Sequence, residues 1–405
     1  MKKQLALFLL VAALTLFTMK ASAAQFSVVG PRALGMGGAS VASVNDSTAV
    51  YWNPAALADF RRVDIRIPAS AGARDHVDLK DKWDRLNNID ALVQSFDPAA
   101  ISEARSLLFD LNKPKSGADL DASAGLLVSV PIGNSAIALS GMGLTNAGIY
   151  PTVDTLNTSA TFTPLPVPAN FVGNNNSAVT GFGITAVEPA ISFGTSFGST
   201  LFVGANAKMI YAKTYVHSEL LKSGTFDTFE DNFDRSETST NKASADAGIL
   251  FKPIEQFAIG LVGRNLNGPI FPVSGIFAVK DPATGAVSLS PDRKEIKLDP
   301  QYRAGIAWKP LQTFTLAVDY DLSKNQTFTP GFEDQTLAVG LEKTLFSEYL
   351  NIRLGAYKNL AENGTKAVYT AGLGFRIFAL RLNVAGAYNS NKDEAQASVD
   401  LALRF

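Results

Sequence analysis

The sequence predicts an all-β fold: a transmembrane antiparallel β-barrel of about fourteen strands with a small N-terminal hatch. Three observations carry this reading. Apolar and polar side chains alternate through most of the chain, the connections alternate between short and long, and a secretory leader precedes it all.

The leader comes first. Met1-Lys2-Lys3 is followed by an apolar run from Leu5 to Phe17 and then by Ala21-Ser22-Ala23. A basic head, an h-region too short to span a bilayer and an A-x-A site predict an exported chain cleaved after Ala23. There is no cysteine, which excludes a disulfide framework and a lipid-anchored cysteine alike. With 36 basic and 37 acidic residues the net charge is -1, and no nucleic-acid footprint is present.

The strands follow by alternation. Tyr302, Ala304, Ile306 and Trp308 fall on one face and Arg303, Gly305, Ala307 and Lys309 on the other; Phe314, Leu316, Val318 and Tyr320 then oppose Thr313, Thr315, Ala317, Asp319 and Asp321. Period-2 patterning of this kind marks strands with one apolar and one polar face, and Pro310-Leu311-Gln312 makes the pair a hairpin. A related unit recurs as Gly248 to Lys252-Pro253 and Gly305 to Lys309-Pro310, more loosely at Gly340 to Lys343 and Gly374 to Arg376. The uneven spacing excludes propeller blades and leaves a barrel.

Strands are expected over 63–71, 122–130, 136–145, 180–197, 200–216, 243–252, 256–265, 302–309, 312–321, 335–344, 348–358, 367–376, 378–388 and 396–405. About ten residues at ~3.3 Å each, tilted ~40°, give a wall roughly 25 Å tall, the height of an outer-membrane apolar band. Transmembrane helices are excluded even over the charge-free residues 122–153, because Pro131-Ile132-Gly133-Asn134-Ser135 breaks that run. The last strand sets Val399, Leu401, Leu403 and Phe405 against Ser398, Asp400, Ala402 and Arg404, and its terminal Phe405 resembles the signal read by the barrel assembly machinery. Apolar faces turned to outer-membrane lipid leave Arg303, Asp319, Arg353, Arg381 and Arg404 pointing into the lumen.

The opening of the mature chain fits neither pattern. Gly30-Pro31-Arg32-Ala33-Leu34-Gly35-Met36-Gly37-Gly38-Ala39 leads to Asn45-Asp46 and then to Tyr51-Trp52-Asn53-Pro54-Ala55. It lacks the third glycine, preceding strand and lysine of a nucleotide loop. Gly35, Gly37 and Gly38 permit tight folding against a wall, Asn53 serves as a turn pin or a ligand contact, and Pro54 fixes the turn after it. The segment resembles the N-terminal hatch of the FadL-type family of outer-membrane transport proteins, which carries an Asn-Pro-Ala motif inside a fourteen-stranded barrel. Proteins sharing this opening include TraF-like conjugation factors and PorV-like secretion barrels.

The resemblance implies a leader at 1–23, a hatch at 24–62 and a barrel at 63–405. It also implies a gating role for Gly35, Gly37, Gly38, Asn53, Pro54 and Ala55, and a lateral opening at a kinked strand, for which Pro189 is the candidate; Pro68 interrupts another strand in the same way. The hatch is expected to supply partners to inward charges such as Arg303 and Arg353.

The long loops add little chemistry. Trp83, Leu86, Ile89, Leu92, Val93 and Phe96 have helical spacing, suited either to a lid or to a helix packed over the rim. Asp227, Glu230, Asp231, Asp234 and Glu237 form an acidic loop without EF-hand order, read as solvated rather than cation-binding. The two histidines, His76 and His217, fall in expected loops and suggest no enzyme. These residues predict no cofactor or metal, and the resemblance implies an outer-membrane channel of a Gram-negative bacterium for hydrophobic, fatty-acid-like molecules. The alternative is a barrel that scaffolds a protein partner in conjugation or secretion.

Overall fold

The structure is a computed structural model that describes residues 26–405 apart from 77, 95–96, 159–174, 222–227 and 390–393, so the leader lies outside the described residues. Its strands are β1 (Asp64–Asp75), β2 (Ala118–Ile132), β3 (Ser135–Thr152), β4 (Ala178–Phe197), β5 (Leu201–Leu220), β6 (Thr238–Ile254), β7 (Phe257–Arg264), β8 (Ile270–Lys280) and β9 (Val287–Lys297). They continue as β10 (Gln301–Leu311), β11 (Phe314–Asp321), β12 (Asn325–Gln326), β13 (Glu333–Asp334), β14 (Thr336–Leu345), β15 (Leu350–Asn359), β16 (Val368–Ile377), β17 (Leu380–Asn389) and β18 (Glu394–Arg404). Fourteen of these close a barrel in the order β1-β18-β17-β16-β15-β14-β11-β10-β7-β6-β5-β4-β3-β2. The fourteen expected strands are those fourteen.

Two expectations are corrected at the long-loop end. β1 to β6 run further towards the long loops than their alternation suggested; in β6 the added residues, Thr-Ser-Thr-Asn-Lys from Thr238, are polar on both faces and give no alternation. The connection 266–301 is not an open loop either; β8 and β9 pair along their whole length, from Ile270↔Lys297 to Lys280↔Val287. His217 consequently sits in β5 rather than in a loop. The helical spacing near Trp83 belongs to a helix at Leu79–Gln94, followed by a second at Pro98–Leu111 that Asp97 caps through Ala100 N at 2.8 Å.

Alternation sorts the two faces of the wall. Ile67, Leu139, Ile191, Trp308, Val339 and Leu401 are exposed on the outside, whereas Arg66, Asn206, Arg303, Asp319, Arg353 and Asp400 are buried on the inside. An apolar exterior on a sheet without edges is what a lipid environment demands, since every wall N–H and C=O is taken by a neighbouring strand. Four prolines interrupt this rule locally: at Pro253 and Pro310, beside short turns, the β6–β7 and β10–β11 ladders shift register, and two further gaps lie within the wall. The β1–β2 ladder skips Ile67 and Pro68 between Arg66↔Leu127 and Ala69↔Ala124, and the β4–β5 ladder skips Glu188 and Pro189 between Val187↔Tyr211 and Ala190↔Lys208. Neither of these inner gaps shifts the register, because there proline removes a donor without adding a residue.

The barrel is sealed between β1 and β18, from Asp64↔Arg404 to Arg74↔Glu394. Beyond Arg404, Val63 N donates to Phe405 O at 3.0 Å and Phe405 N to Val63 O at 3.1 Å. Deleting Phe405 should lose both bonds, each worth about 1 kcal/mol net, together with the exposed terminal ring. The expected result is a sharp drop in the heat-modifiable band on unheated gels; an unchanged folded fraction would remove any assembly role from this residue.

Candidate functional site in the barrel lumen

Every residue from 26 to 58 is buried except Val28 and Asn45. The fold of this segment follows from its punctuation. Pro31 starts a short helix (Pro31–Gly35), and Gly37 and Gly38, with φ of 68° and 89°, reverse the chain where a side chain would be strained. Phe26, Tyr51 and Trp52 then pack with ring centroids 5.5 Å apart. Tyr51 Oη donates to Ser27 O at 2.7 Å and Trp52 Nε1 to Val29 O at 2.9 Å, so both polar tips are satisfied inside the segment.

Asn53 joins this segment to the wall. Its Oδ1 accepts from Ala55 N at 3.1 Å and caps the 3-10 turn Pro54–Ala58. Its Nδ2 donates to Val41 O at 3.0 Å and to Ile249 O of β6 at 3.1 Å. Asn53 is thus a pin for the turn, for the segment and for the barrel at once.

The wall receives the segment on glycines. Gly194, Gly204 and Gly248 are register partners across β4, β5 and β6, and a Cβ on any of them would press on Pro54 or Asn53. Gly260 and Gly305, paired across β7 and β10, meet Val41. Gly340 and Gly355, paired across β14 and β15, meet Met36 and Gly37. The recurring glycine of the sequence unit at 248, 305 and 340 is therefore the point where the wall lies flat against the segment; Gly374 faces Asn383 and Arg353 instead.

Polar contacts fix the rest. Ser40 N and Val41 N donate to Asp319 Oδ2 at 2.7 and 2.8 Å, Gly37 N donates to Thr370 Oγ1 at 3.0 Å, and Asn206 Nδ2 donates to Val50 O at 2.6 Å. Arg32 forks onto Glu342 through Nε at 3.1 Å and Nη2 at 2.9 Å, and Arg353 shares the same carboxylate at 2.6 Å. Asp46 lies 3.5 Å from Arg66 and 3.9 Å from Arg404, on the two strands of the seam. Burial opposes its ionisation, but Arg66 and then Arg404 outweigh that, so its carboxyl is held below the usual range.

One expectation is corrected here: the acids facing Arg303 and Arg353 come from the wall, as Asp321 and Glu342, and not from the segment. What the segment offers is aromatic faces. Arg303 lies 4.1 Å from the Phe26 ring centroid, and Arg264 lies 3.8 Å from that of Tyr51. Arg32, quoted in the opening motif without a role, is its principal charged anchor.

The lumen is polar on both sides of the segment, at the long-loop end in a cavity of about 380 Å³ lined by Arg74, His76, Lys115, Glu362 and Glu394, but one stretch of wall differs. Towards the long loops, Ile184, Ala186, Ile210, Ala212 and Val216 on the inner faces of β4 and β5 form an apolar patch. The β8–β9 hairpin lies on it with Phe271, Val273 and Phe277, each at most 2% exposed. A space of about 40 Å³ between Leu144, Ile184, Leu298 and Tyr51 separates this patch from the segment. Towards the short turns a cavity of about 320 Å³ is lined by charged and amide side chains. Pro189 is exposed on the outer face of β4, away from these spaces.

A closed fourteen-stranded barrel whose interior is taken up by its own N-terminal segment defines the class: an occluded transmembrane barrel of the FadL-like fold. Residues 50–321 match the family described as "F plasmid transfer operon, TraF, protein", and the chain belongs to that family. No curated protein matches in sequence. Among solved structures, the Pseudomonas putida toluene transporter TodX is similar at 12% identity with a TM-score of 0.56, covering 94% of this chain and 99% of that one. The Ralstonia pickettii toluene transporter TbuX is similar at 11% and 0.53, covering 93% and 97%. A Pseudomonas aeruginosa FadL homologue is similar at 12% and 0.53, covering 95% and 99%. At these identities the likeness is one of fold.

Asn53→Ala should loosen the segment without opening the barrel. It strips partners from Ala55 N, Val41 O and Ile249 O, and each group left buried and unpaired costs about 1–3 kcal/mol. Gly248→Val should be worse, because its side chain falls on Asn53. Thermal unfolding in detergent should rank wild type above Asn53→Ala above Gly248→Val; equal midpoints would mean that the segment does not bear on the wall at these points.

Proposed function

We propose that the protein is an outer-membrane channel for hydrophobic small molecules, with residues 26–58 as the hatch. Gly35, Gly37, Gly38, Asn53, Pro54 and Ala55 are the gating positions, since they seat the hatch on the wall. The observation that carries this reading is the apolar inner face of β4 and β5 under the β8–β9 hairpin. A lumen wall that met only water would be polar there.

Polar bonds hold the hairpin at separate points: Thr214 Oγ1 donates to Pro272 O at 2.7 Å and Ala278 N to Ser218 Oγ at 2.9 Å on β5, while at its far end Thr155 N donates to Gly285 O at 3.0 Å and Lys280 Nζ to Asn112 Oδ1 at 2.9 Å. A hydrophobic molecule replaces the contacts of Phe271 and Phe277 with its own, so displacing the hairpin exposes little apolar surface to water. Fatty-acid-like and monoaromatic compounds both suit such a patch; solved structures of similar fold include two toluene transporters and a monoaromatic hydrocarbon channel. The 40 Å³ space below the patch is smaller than these ligands, so passage needs the hairpin to lift. The ladder gap at Glu188–Pro189 is the proposed lateral exit, because the wall lacks its bonds to β5 there.

Because the chain has no cysteine, a cysteine pair at Thr214 and Pro272 joined by a short bismaleimide should trap the hairpin. Uptake of a labelled long-chain fatty acid or toluene into proteoliposomes should then fall to background, and Pro189→Val should slow it. Uptake indifferent to the link would reject this path. Deleting residues 24–60 tests the hatch itself: the strands bond to one another, so the barrel should still insert, and conductance in planar bilayers should rise well above that of the full-length protein. Equal conductance would mean that the segment does not close the pore.

Membership of the TraF family favours a second reading, a barrel that scaffolds a protein partner in conjugation or secretion. Stoichiometric co-purification of one protein, with no uptake by the unlinked barrel, would establish it instead.

A further inference from the structure

The cavity of about 320 Å³ at the short-turn mouth is not explained by passage of hydrophobic molecules. Its walls hold Arg32 from the N-terminal segment, Lys309, Arg353, Arg381 and Arg404 from the strands, and Gln312 and Asn351 near the turns. We propose that it is a binding site for a small oxyanion, a phosphate or carboxylate group, held by Arg32, Lys309 and Arg381.

The charges do not balance without one. Arg66 and Arg404 are taken up by Asp46, Asp64 and Asp400. On the other side of the cavity, Arg32 and Arg353 share the single carboxylate of Glu342. Arg376 and Arg381 share Glu348, which is 47% exposed. Lys309 forms no ion pair among the described residues. Six cations line the cavity against three carboxylates, Asp46, Glu342 and Glu348, and counting Arg376, Asp64 and Asp400 from the same ion-pair networks the ratio is still seven to five.

Individual donors are also left over. Arg32 spends Nε and Nη2 on Glu342, and its Nη1 has no hydrogen-bond partner among the described residues, although the side chain is only 8% exposed. Arg381 Nε is likewise buried without a partner. An unpaired guanidinium nitrogen in a confined space is strongly disfavoured. Water would satisfy the N–H groups, but only an anion also offsets the surplus charge. Guanidinium donors flanked by an ammonium are suited to a tetrahedral or planar oxyanion. A hydrophobic ligand finds no matching surface, because Gln312, Thr313, Thr315, Asn351 and Asn383 complete the lining. The site stands whether the barrel transports or scaffolds, since it lies on the opposite side of the N-terminal segment from the apolar patch.

The test uses full-length protein in nanodiscs of zwitterionic lipid, titrated with inorganic phosphate at constant ionic strength and followed by calorimetry. We expect saturable binding, weakened about tenfold or more in Lys309→Gln and in Arg381→Gln, the loss that one charge-assisted contact implies. Neither variant removes an anchor of the N-terminal segment, so both should fold; Arg32→Gln is avoided because it would remove that segment's charged anchor on Glu342. A second set of discs containing phosphatidylglycerol separates the sources of the anion. If that lipid blocks phosphate binding and is retained in native mass spectra of wild type but not of Lys309→Gln, the occupant is a lipid headgroup phosphate; if phosphate still binds, it is a free oxyanion. Absence of saturable phosphate or acetate binding in both discs, or binding undiminished in both variants, would overturn the proposal.

Discussion

The structure depends on closure of the sheet. Once β1 bonds to β18, no strand of the wall has a free edge, and the wall satisfies its backbone largely without outside help. Lipid then dictates most outward side chains, and the buried polar residues of the wall strands are turned inward. A lumen of this diameter, filled with Arg66, Arg264, Arg303, Arg353 and their acids, must be wet or occupied. Occupation by the chain's own first residues settles the remaining design. The wall needs glycines where that segment touches it, and the segment needs few charges because the wall has already paired most of its own.

That division explains what could be read from the sequence. Strand number and facing were legible because each strand obeys the period-2 rule along its own length, a local property. The N-terminal segment was legible as a plug-like element from Gly35, Gly37, Gly38 and the Asn53-Pro54-Ala55 turn, again within a few residues. The partners were not. Asn53 meets Ile249 196 positions away, and Arg32 meets Glu342 310 positions away, and no local rule connects them. The repeated glycine at 248, 305 and 340 was visible as a period, yet its purpose depends on which residue lies opposite across the lumen. The β8–β9 hairpin was hidden for another reason. β9 contains Pro291-Asp292-Arg293-Lys294-Glu295 and exposes most of its residues, so it has no apolar face to declare it; β8 alone carries the buried Phe271 and Phe277.

The two elements inside the barrel are held by opposite kinds of force, and this bears on how such a lumen can open. The β8–β9 hairpin rests on Ile184, Ile210 and Val216 by apolar contact, which any hydrophobic molecule can imitate. The N-terminal segment is held by the Arg32–Glu342 fork, by Asp319 on two amides, and by the bonds of Asn53. A hydrophobic molecule has nothing to exchange for those. Breaking the fork alone would leave a buried charge unpaired, a cost of roughly 3–5 kcal/mol that apolar binding cannot offset at that point. If the barrel passes hydrophobic molecules as proposed, such a ligand would lift the hairpin without dislodging the segment by competition. On the proposed route its way onward lies beside the segment, along β4 and β5, where the described ladder is broken at Glu188 and Pro189. Displacement of the segment itself would require a species able to bargain for Arg32 in kind, an anion arriving from the short-turn side.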